Sequence, residues 1–318
     1  MMRVAVVGAG AIGGFLAAAL ARSGVSVGVV ARGAHLEAIR RNGLRVQSDL
    51  GAFEVRVDAA DDLRRLGAFD ALLLTFKAHQ WPVLLPQLRP FAGTATQIVT
   101  LQNGLPFWYV REPPLHSVDP GGTIGRLFPD AQVVGGVVHV SGSLLAPGVI
   151  RQSGGLRYVL GEASGPATPR LEVLAKMLFD AGLSAEIDPD IRATIWLKLV
   201  NNSGLNSVSV LTRLTIKPML ANPETRARVR ELMIETLRVG QALGVVSDAD
   251  VDARIAYAAR LDDVKTSMLQ DYELGRPIEL DPILGAVIEL AGRCGVAVPR
   301  LRATYDALRS AAGAASPR

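Results

Sequence analysis

Arg3-Val4-Ala5-Val6-Val7-Gly8-Ala9-Gly10-Ala11-Ile12-Gly13-Gly14 is the stretch on which the fold turns. Val4–Val7 reads as a buried strand, and the apolar segment Phe15 to Arg22 reads as a helix. Between them Gly8, Gly10 and Gly13 keep a G-x-G-x-x-G spacing. Gly8 permits a tight turn, Gly10 leaves room for a pyrophosphate against the backbone, and Gly13 lets the helix lie close on the strand. The whole turn (Gly8, Ala9, Gly10, Ala11, Ile12 and Gly13) is the expected phosphate cradle, because free N–H groups and the positive end of a helix dipole meet there. A second apolar run, Val25–Val30, completes a βαβ unit. A glycine turn of purely structural purpose is the competing reading, and the surrounding strand and helix pattern disfavours it.

The 318 residues are enough for two domains, and 49% hydrophobic content supplies sizeable cores. The one cysteine, Cys294, excludes an internal disulfide framework and fits a reducing, cytoplasmic compartment. An Arg followed by an apolar run with Ala-x-Ala superficially resembles a secretory signal, but the glycines fall where a phosphate turn needs them and Arg22 closes the run. No stretch reaches 18 uninterrupted apolar residues, so no membrane span is expected. The net charge of +4 is spread along the chain, which argues against nucleic-acid binding and suits a phosphorylated coenzyme and an acidic substrate. The four histidines lack metal-ligand spacing, and no metal site is expected.

Residues 1–190 alternate short strands with helices, the pattern of a doubly wound α/β sheet. Candidate strands are Val4–Val7, Val25–Val30, Ala71–Phe76, Gln97–Leu101 and Val133–Val138. Gly148–Gln152 and Arg157–Gly161, split by Ser153-Gly154-Gly155, read as an added hairpin. Helix Pro169 to Asp180 leads to a last strand, Leu183–Ile187. Residues 191–318 read as all-helical: Asn222-Pro223 opens one helix that runs to about Leu243, Val264 to Leu274 forms another, and Asp281-Pro282 opens a third. The end, from Ala311 to Arg318, is expected to fray. The architecture is therefore a Rossmann-type dinucleotide domain followed by a helical substrate domain with a cleft between them, and the long helices suit a homodimer.

The second strand runs into Ala31-Arg32, 19 residues past Gly13, where an NAD enzyme carries an acid for the ribose 2′-hydroxyl. Arg32 suits a 2′-phosphate instead, through charge-assisted bonds, so NADPH is the expected coenzyme. A guanidinium that merely covers the adenine ring is the other reading. Lys77 follows the apolar run Ala71–Phe76 at the sheet edge where ligands bind, or simply starts a surface helix. Asn103-Gly104 stands at the next strand end, as a ligand contact or a plain turn. In Ile195–Asn206, Lys198, Asn202 and Asn206 are spaced i, i+4, i+8 and drift only about 80° around a helix, so they form one stripe. Asparagine is a poor helix former and a poor choice for a solvated face, which favours a ligand-facing stripe. Ser267 and Asp271 lie one turn apart, and Glu279 follows; each alone reads as capping or surface.

Taken in order, these segments resemble the ketopantoate reductase (2-dehydropantoate 2-reductase) family from Gly8 to about Pro299. The resemblance rests on GAGAIGG, Arg32-Gly33, Phe76-Lys77-Ala78-x-Gln80, Gln102-Asn103-Gly104, the Lys-x3-Asn-x3-Asn run from Lys198, Ser267-Met268-Leu269-Gln270-Asp271, and Glu279 twelve residues beyond that Ser. It implies NADPH-dependent reduction of a 2-oxo acid, ketopantoate to D-pantoate. Lys198 would be the catalytic lysine and Glu279 its partner carboxylate. Asn103, Asn202, Asn206 and Ser267 would hold substrate, while Lys77 and Asn103 would meet the coenzyme and Arg32 would read the 2′-phosphate. Leu105-Pro106-Phe107-Trp108-Tyr109 and the Pro/Gly-rich loop Arg111 to Arg126 depart from the family pattern. Their expected effect is a reshaped acyl pocket, which leaves a D-2-hydroxyacid dehydrogenase for another bulky 2-oxo acid as the alternative.

Overall fold

The computed structural model describes residues 2–260 and 263–315. It divides into two compact units, one comprising residues 1–102 and 123–191, the other 103–122 and 192–318. The segment Asn103–Gly122 thus clusters with the helices, although sheet residues flank it in sequence.

The first unit carries β1 (Arg3–Val7), α1 (Ala11–Arg22), β2 (Ser26–Val30), α2 (Gly33–Asn42), β3 (Leu44–Ser48), β4 (Gly51–Val55), β5 (Asp58–Ala60), β6 (Ala71–Leu74), α3 (Trp81–Leu88), β7 (Gln97–Thr100), β8 (Val133–Ala146), β9 (Val149–Glu162), α4 (Pro169–Asp180) and β10 (Ser184–Ile187). Six strands pair in parallel in the spatial order β5-β2-β1-β6-β7-β8. Numbered along the chain these six read 3-2-1-4-5-6, the dinucleotide-binding order, with the switch point between β1 and β6. The sheet then continues as a mixed one. β9 runs antiparallel to β8, β3 and β10 run parallel to β9, and β4 closes an antiparallel pair with β3.

Two readings need correction. Ser153-Gly154-Gly155 is not a hairpin turn, because β9 runs through it as one strand of 14 residues. The glycines sit where the β8–β9 register shifts, and a Cβ on Gly155 would stand 2.2 Å from the His139 carbonyl. The true turn is Pro147-Gly148, a Pro-Gly pair that the sequence displays. Second, the chain does not leave its helix at Ala311. The last helix continues to Ala315, and only Ser316–Arg318 of the expected frayed end lie outside the described residues.

Helix α1 explains why its sequence mimics a signal core. Phe15 to Leu20 are fully buried, and the helix packs on β1, β2, β3, β8 and β9. A helix apolar on all sides is a core helix. Gly14 lets it press on β9, since a Cβ there would lie 2.4 Å from Ile150 Cδ1.

The second unit is built from α5 (Ile191–Thr212), α6 (Ile216–Ala221), α7 (Pro223–Ala242), α8 (Val251–Arg260), α9 (Ser267–Glu273), α10 (Ala286–Cys294) and α11 (Pro299–Ala315). Asn222 caps α7 as its sequence suggests, accepting from Glu224 N–H and Thr225 N–H. The expected start at Asp281-Pro282 is a π-helical turn, Asp281–Gly285, that runs into α10. Helices α5 and α7 lie antiparallel in close contact. Trp196 Nε1 donates to the Thr236 carbonyl, Thr236 Oγ1 bonds Ser203 Oγ, and a Cβ on Gly204 would meet the Val229 carbonyl at 2.8 Å. Trp196, Val200 and Ser203 therefore occupy the α7 side of α5, and 100° per residue turns Lys198, Asn202 and Asn206 away from it. No helix among the described residues is long and apolar enough to cross a membrane.

Candidate active site

In the first unit the glycine turn lies at the C-terminal edge of the parallel strands. Gly8 N–H and Ala9 N–H both donate to the Val30 carbonyl at the end of β2. Gly8 adopts φ +101°, and a Cβ there would stand 2.8 Å from Phe76 N, so the turn is pressed against the segment leaving β6. At Gly13 a Cβ would lie 2.2 Å from the Gly8 carbonyl and 2.3 Å from Thr75 Oγ1, a hydroxyl that donates to the Val7 and Gly8 carbonyls. At Gly10 nothing lies within 4 Å. Two glycines are thus forced by close approach, and the third, whose own N–H donates to the Gly8 carbonyl, leaves open space where a side chain would stand. Ala11 and Ile12 begin α1, whose first turn holds no acid and whose N-cap, Gly10, offers no side chain. That is the surface a pyrophosphate needs. Arg32 caps the start of α2 two residues beyond β2. Its guanidinium is exposed, with no ion-pair partner among the described residues. Lys77 stands half-buried after β6 at this same edge.

In the second unit a lysine stands within electrostatic reach of a buried carboxylate. Lys198 is half-buried on α5, and Glu279 is only 4% exposed. Desolvation lowers the Lys198 pKa to about 8, against the opposing pull of the Glu279 charge. Asn103 Nδ2 donates to Glu279 Oε2 at 3.4 Å. That contact is fixed from the backbone: Leu105 N–H donates to the Pro282 carbonyl at 2.9 Å, and a Cβ on Gly104, at φ +79°, would lie 2.5 Å from that oxygen. The Asn-Gly turn is therefore seated on the stretch that carries Glu279. A π-helical turn in that stretch is a frequent mark of functional sites.

Of the two asparagines on the stripe, Asn206 is 6% exposed and Asn202 buries an Nδ2 that has no hydrogen-bond partner among the described residues. An unsatisfied buried donor is costly unless a ligand meets it. Ser267 is the exposed first residue of α9. Its neighbour Thr266 caps α9 and bonds Ser209 Oγ at 2.6 Å, which places this helix start beside the C-terminal end of the stripe.

Phe107, Trp108 and Tyr109, expected to reshape the acyl pocket, are each 2% exposed. Tyr109 Oη donates to the Arg192 carbonyl, Arg192 lies 4.4 Å over the Tyr109 ring, and Trp196 stacks 6.1 Å from it. The rings anchor the 103–122 segment on α5, while Glu289 and Arg293 of α10 bind the backbone of His116, Ser117, Pro113 and Pro114. Sequence reasoning missed Arg254, which reaches from α8 toward the Leu197 carbonyl and Asn201 Oδ1, and gave no weight to the burial of Asp271. An isolated Arg or Asp on a helix carries no sign of burial in its own sequence.

The profile of the family described as "Ketopantoate reductase PanE/ApbA" matches residues 4–165, and that of its C-terminal domain matches residues 190–312. The chain belongs to the ketopantoate reductase family. It is 42% identical over 316 residues to a 2-dehydropantoate 2-reductase of Mesorhizobium japonicum, covering 97% of each chain. The crystal structure of 2-dehydropantoate 2-reductase from Geobacter metallireducens superposes with a TM-score of 0.88 at 31% identity, covering 98% of this chain and 100% of the other. A D-mandelate dehydrogenase solved with NADH and anilino(oxo)acetate shares the fold at a TM-score of 0.87, with 21% identity and 99% of both chains covered. As a ketopantoate reductase family member the protein is an oxidoreductase of α/β fold with a helical C-terminal region.

Proposed function

We propose that this chain reduces 2-dehydropantoate to D-pantoate with NADPH, with Lys198 as general acid. The observation that supports the reading most strongly is the desolvated Lys198 ammonium opposite buried Glu279. The open backbone at Gly10 and the bare N-terminus of α1 fit a dinucleotide, and Arg32 fits its 2′-phosphate. When bound, the reduced nicotinamide supplies hydride to C2 of the substrate. Lys198 meets the negative charge that develops on the oxo oxygen and gives it a proton, so that C=O becomes CH–OH. Glu279 holds the ammonium in place. Asn103, Asn202, Asn206 and Ser267 offer amide and hydroxyl groups to the substrate carboxylate and hydroxyl without adding net charge, and Lys77 and Asn103 complete the coenzyme contacts.

NADPH oxidation with ketopantoate, 2-oxoisovalerate and benzoylformate tests the substrate. Ketopantoate is expected to give the highest kcat/KM; a higher value with benzoylformate transfers the assignment to a dehydrogenase of bulkier 2-oxo acids. The burial of Phe107, Trp108 and Tyr109 weakens one of the two sequence arguments for that second reading; the loop Arg111 to Arg126 is the other.

The acid role also fixes a pH dependence. Lys198 must be protonated in the free enzyme, and its pKa is about 8, so kcat/KM is expected to fall as pH rises through that value. Glu279 raises this pKa, so Glu279→Gln moves the alkaline limb to lower pH. A limb that stays put in Glu279→Gln separates the pair.

A further inference from the structure

Gln102 opens the Gln102-Asn103-Gly104 turn, two residues beyond β7, and takes no part in the mechanism above. The backbone that delivers it is fixed. Leu101 N–H donates to the Leu74 carbonyl at the end of β6 at 3.0 Å, and the Leu101 side chain fills the space above Gly136 of β8, where a Cβ would stand 2.5 Å from Leu101 Cδ2. Gln102 is half-buried, and its Oε1 is shut off from solvent with no hydrogen-bond partner among the described residues. A buried acceptor without a donor is costly unless a ligand supplies one. The sheet decides which part of a dinucleotide comes near. In the order β5-β2-β1-β6-β7-β8 two mononucleotide halves meet at the switch point between β1 and β6. The turn after β1 fits the pyrophosphate and Arg32, after β2, the adenosine 2′-phosphate, so the second nucleoside runs the other way, over the C-terminal ends of β6 and β7. Lys77 follows the first of those strands and Gln102 the second. Three interstrand spacings, about 14 Å in all, separate β7 from β2, which puts the adenosine phosphate beyond the reach of a glutamine side chain.

We propose that Gln102 is a coenzyme-binding residue: its Oε1 accepts a hydrogen bond from the nicotinamide riboside, through a carboxamide N–H or a ribose hydroxyl. This rests on the dinucleotide reading of the glycine turn. Without a ligand an apolar side chain of the same length would stabilise this position better; the carboxamide is of use only when a donor arrives. Neighbouring side chains of one turn then divide the work, Gln102 taking the nucleoside at the sheet edge while Asn103 bonds Glu279.

The test measures three probes by calorimetry on the full chain. NADP⁺ carries the whole nicotinamide riboside, 2′-phospho-ADP-ribose keeps its ribose without the nicotinamide, and adenosine 2′,5′-bisphosphate lacks both. Gln102→Met, of similar length and without the acceptor, is expected to weaken NADP⁺ by about five- to tenfold, the contribution of one hydrogen bond, and to leave the bisphosphate unchanged. Gln102→Ala tests the same loss if the methionine variant does not fold. An unchanged affinity for 2′-phospho-ADP-ribose assigns the donor to the carboxamide, and a matching loss assigns it to the ribose hydroxyl; either supports the proposal. Equal loss on all three probes, as general damage to the turn would give, overturns it, as does an undiminished affinity for NADP⁺. A wild-type protein that binds none of the three removes the coenzyme reading itself, an outcome distinct from those two.

Discussion

Lys198→Ala is expected to lower turnover of the 2-oxo acid by about 10²–10⁴-fold, the usual contribution of a positioned acid. In the native protein the ammonium is desolvated and its pKa is held near 8, so near neutral pH the charged form is less at ease in the fold than in the unfolded chain. Stability attributable to this group rises as pH climbs from that value toward the ordinary lysine range, where the unfolded chain binds the proton that the fold has shed. Removing the ammonium relieves its desolvation but leaves the buried Glu279 without its counter-charge, so the melting temperature is measured beside turnover and the two are compared. Loss of turnover at preserved stability isolates chemistry from folding. Lys198→Arg keeps the charge but should recover little, since a guanidinium does not release its proton in this pH range. Turnover of Lys198→Ala within threefold of the parent would remove this residue from the acid role.

The parallel half of the fold was legible because its strands are buried on both faces and read as unbroken apolar runs: Val4–Val7, Leu72–Leu74 and Ile98–Val99 leave no ambiguity. The β3–β4 hairpin went unread for the opposite reason. Leu44 and Val46 alternate with the exposed Arg45 and Gln47, and five residues of half-exposed alternation do not stand out from a loop. β5 is shorter still, at three residues. The β8–β9 pair misled through its glycines. Chain punctuation at Ser153-Gly154-Gly155 is real, but it is spent on a register shift rather than on a reversal, and only the partner strand decides which.

At the site, periodicity was enough to place Lys198, Asn202 and Asn206 on one stripe, because a straight helix translates spacing directly into a face. Spacing could not reveal what lies opposite. The approach of Glu279 to Lys198, and of Asn103 to Glu279, joins residues separated by 81 and 176 positions in the sequence, and long-range contacts such as the backbone bond from Leu105 to Pro282 hold the second pair together. The aromatic run at 107–109 shows the converse. Three rings in sequence beside an Asn-Gly turn suggest a pocket wall, yet an Arg on α5 claims them for the core. Whether a polar or aromatic group faces ligand or protein depends on a long-range partner.

Arg32→Ala is expected to cut the preference for NADPH over NADH by about ten- to a hundredfold, since charge-assisted hydrogen bonds contribute roughly 1.5–3 kcal/mol and each 1.4 kcal/mol is a factor of ten. The loss falls on kcat/KM with NADPH, while the value with NADH should barely move, because no 2′-phosphate is present to miss the guanidinium. Arg32 is exposed and unpaired among the described residues, so no internal salt bridge must break when it turns to a ligand, and none is orphaned when it is removed. Exposure also means screening: the wild-type preference should shrink as ionic strength rises, which a guanidinium merely stacked on adenine would not produce. Arg32→Asp carries the argument further. An acid at the end of β2 binds the ribose 2′-hydroxyl and repels a 2′-phosphate, so this variant should favour NADH. Equal efficiency of the unmodified protein with both coenzymes would overturn the assignment, because Arg32 is the residue proposed to distinguish them.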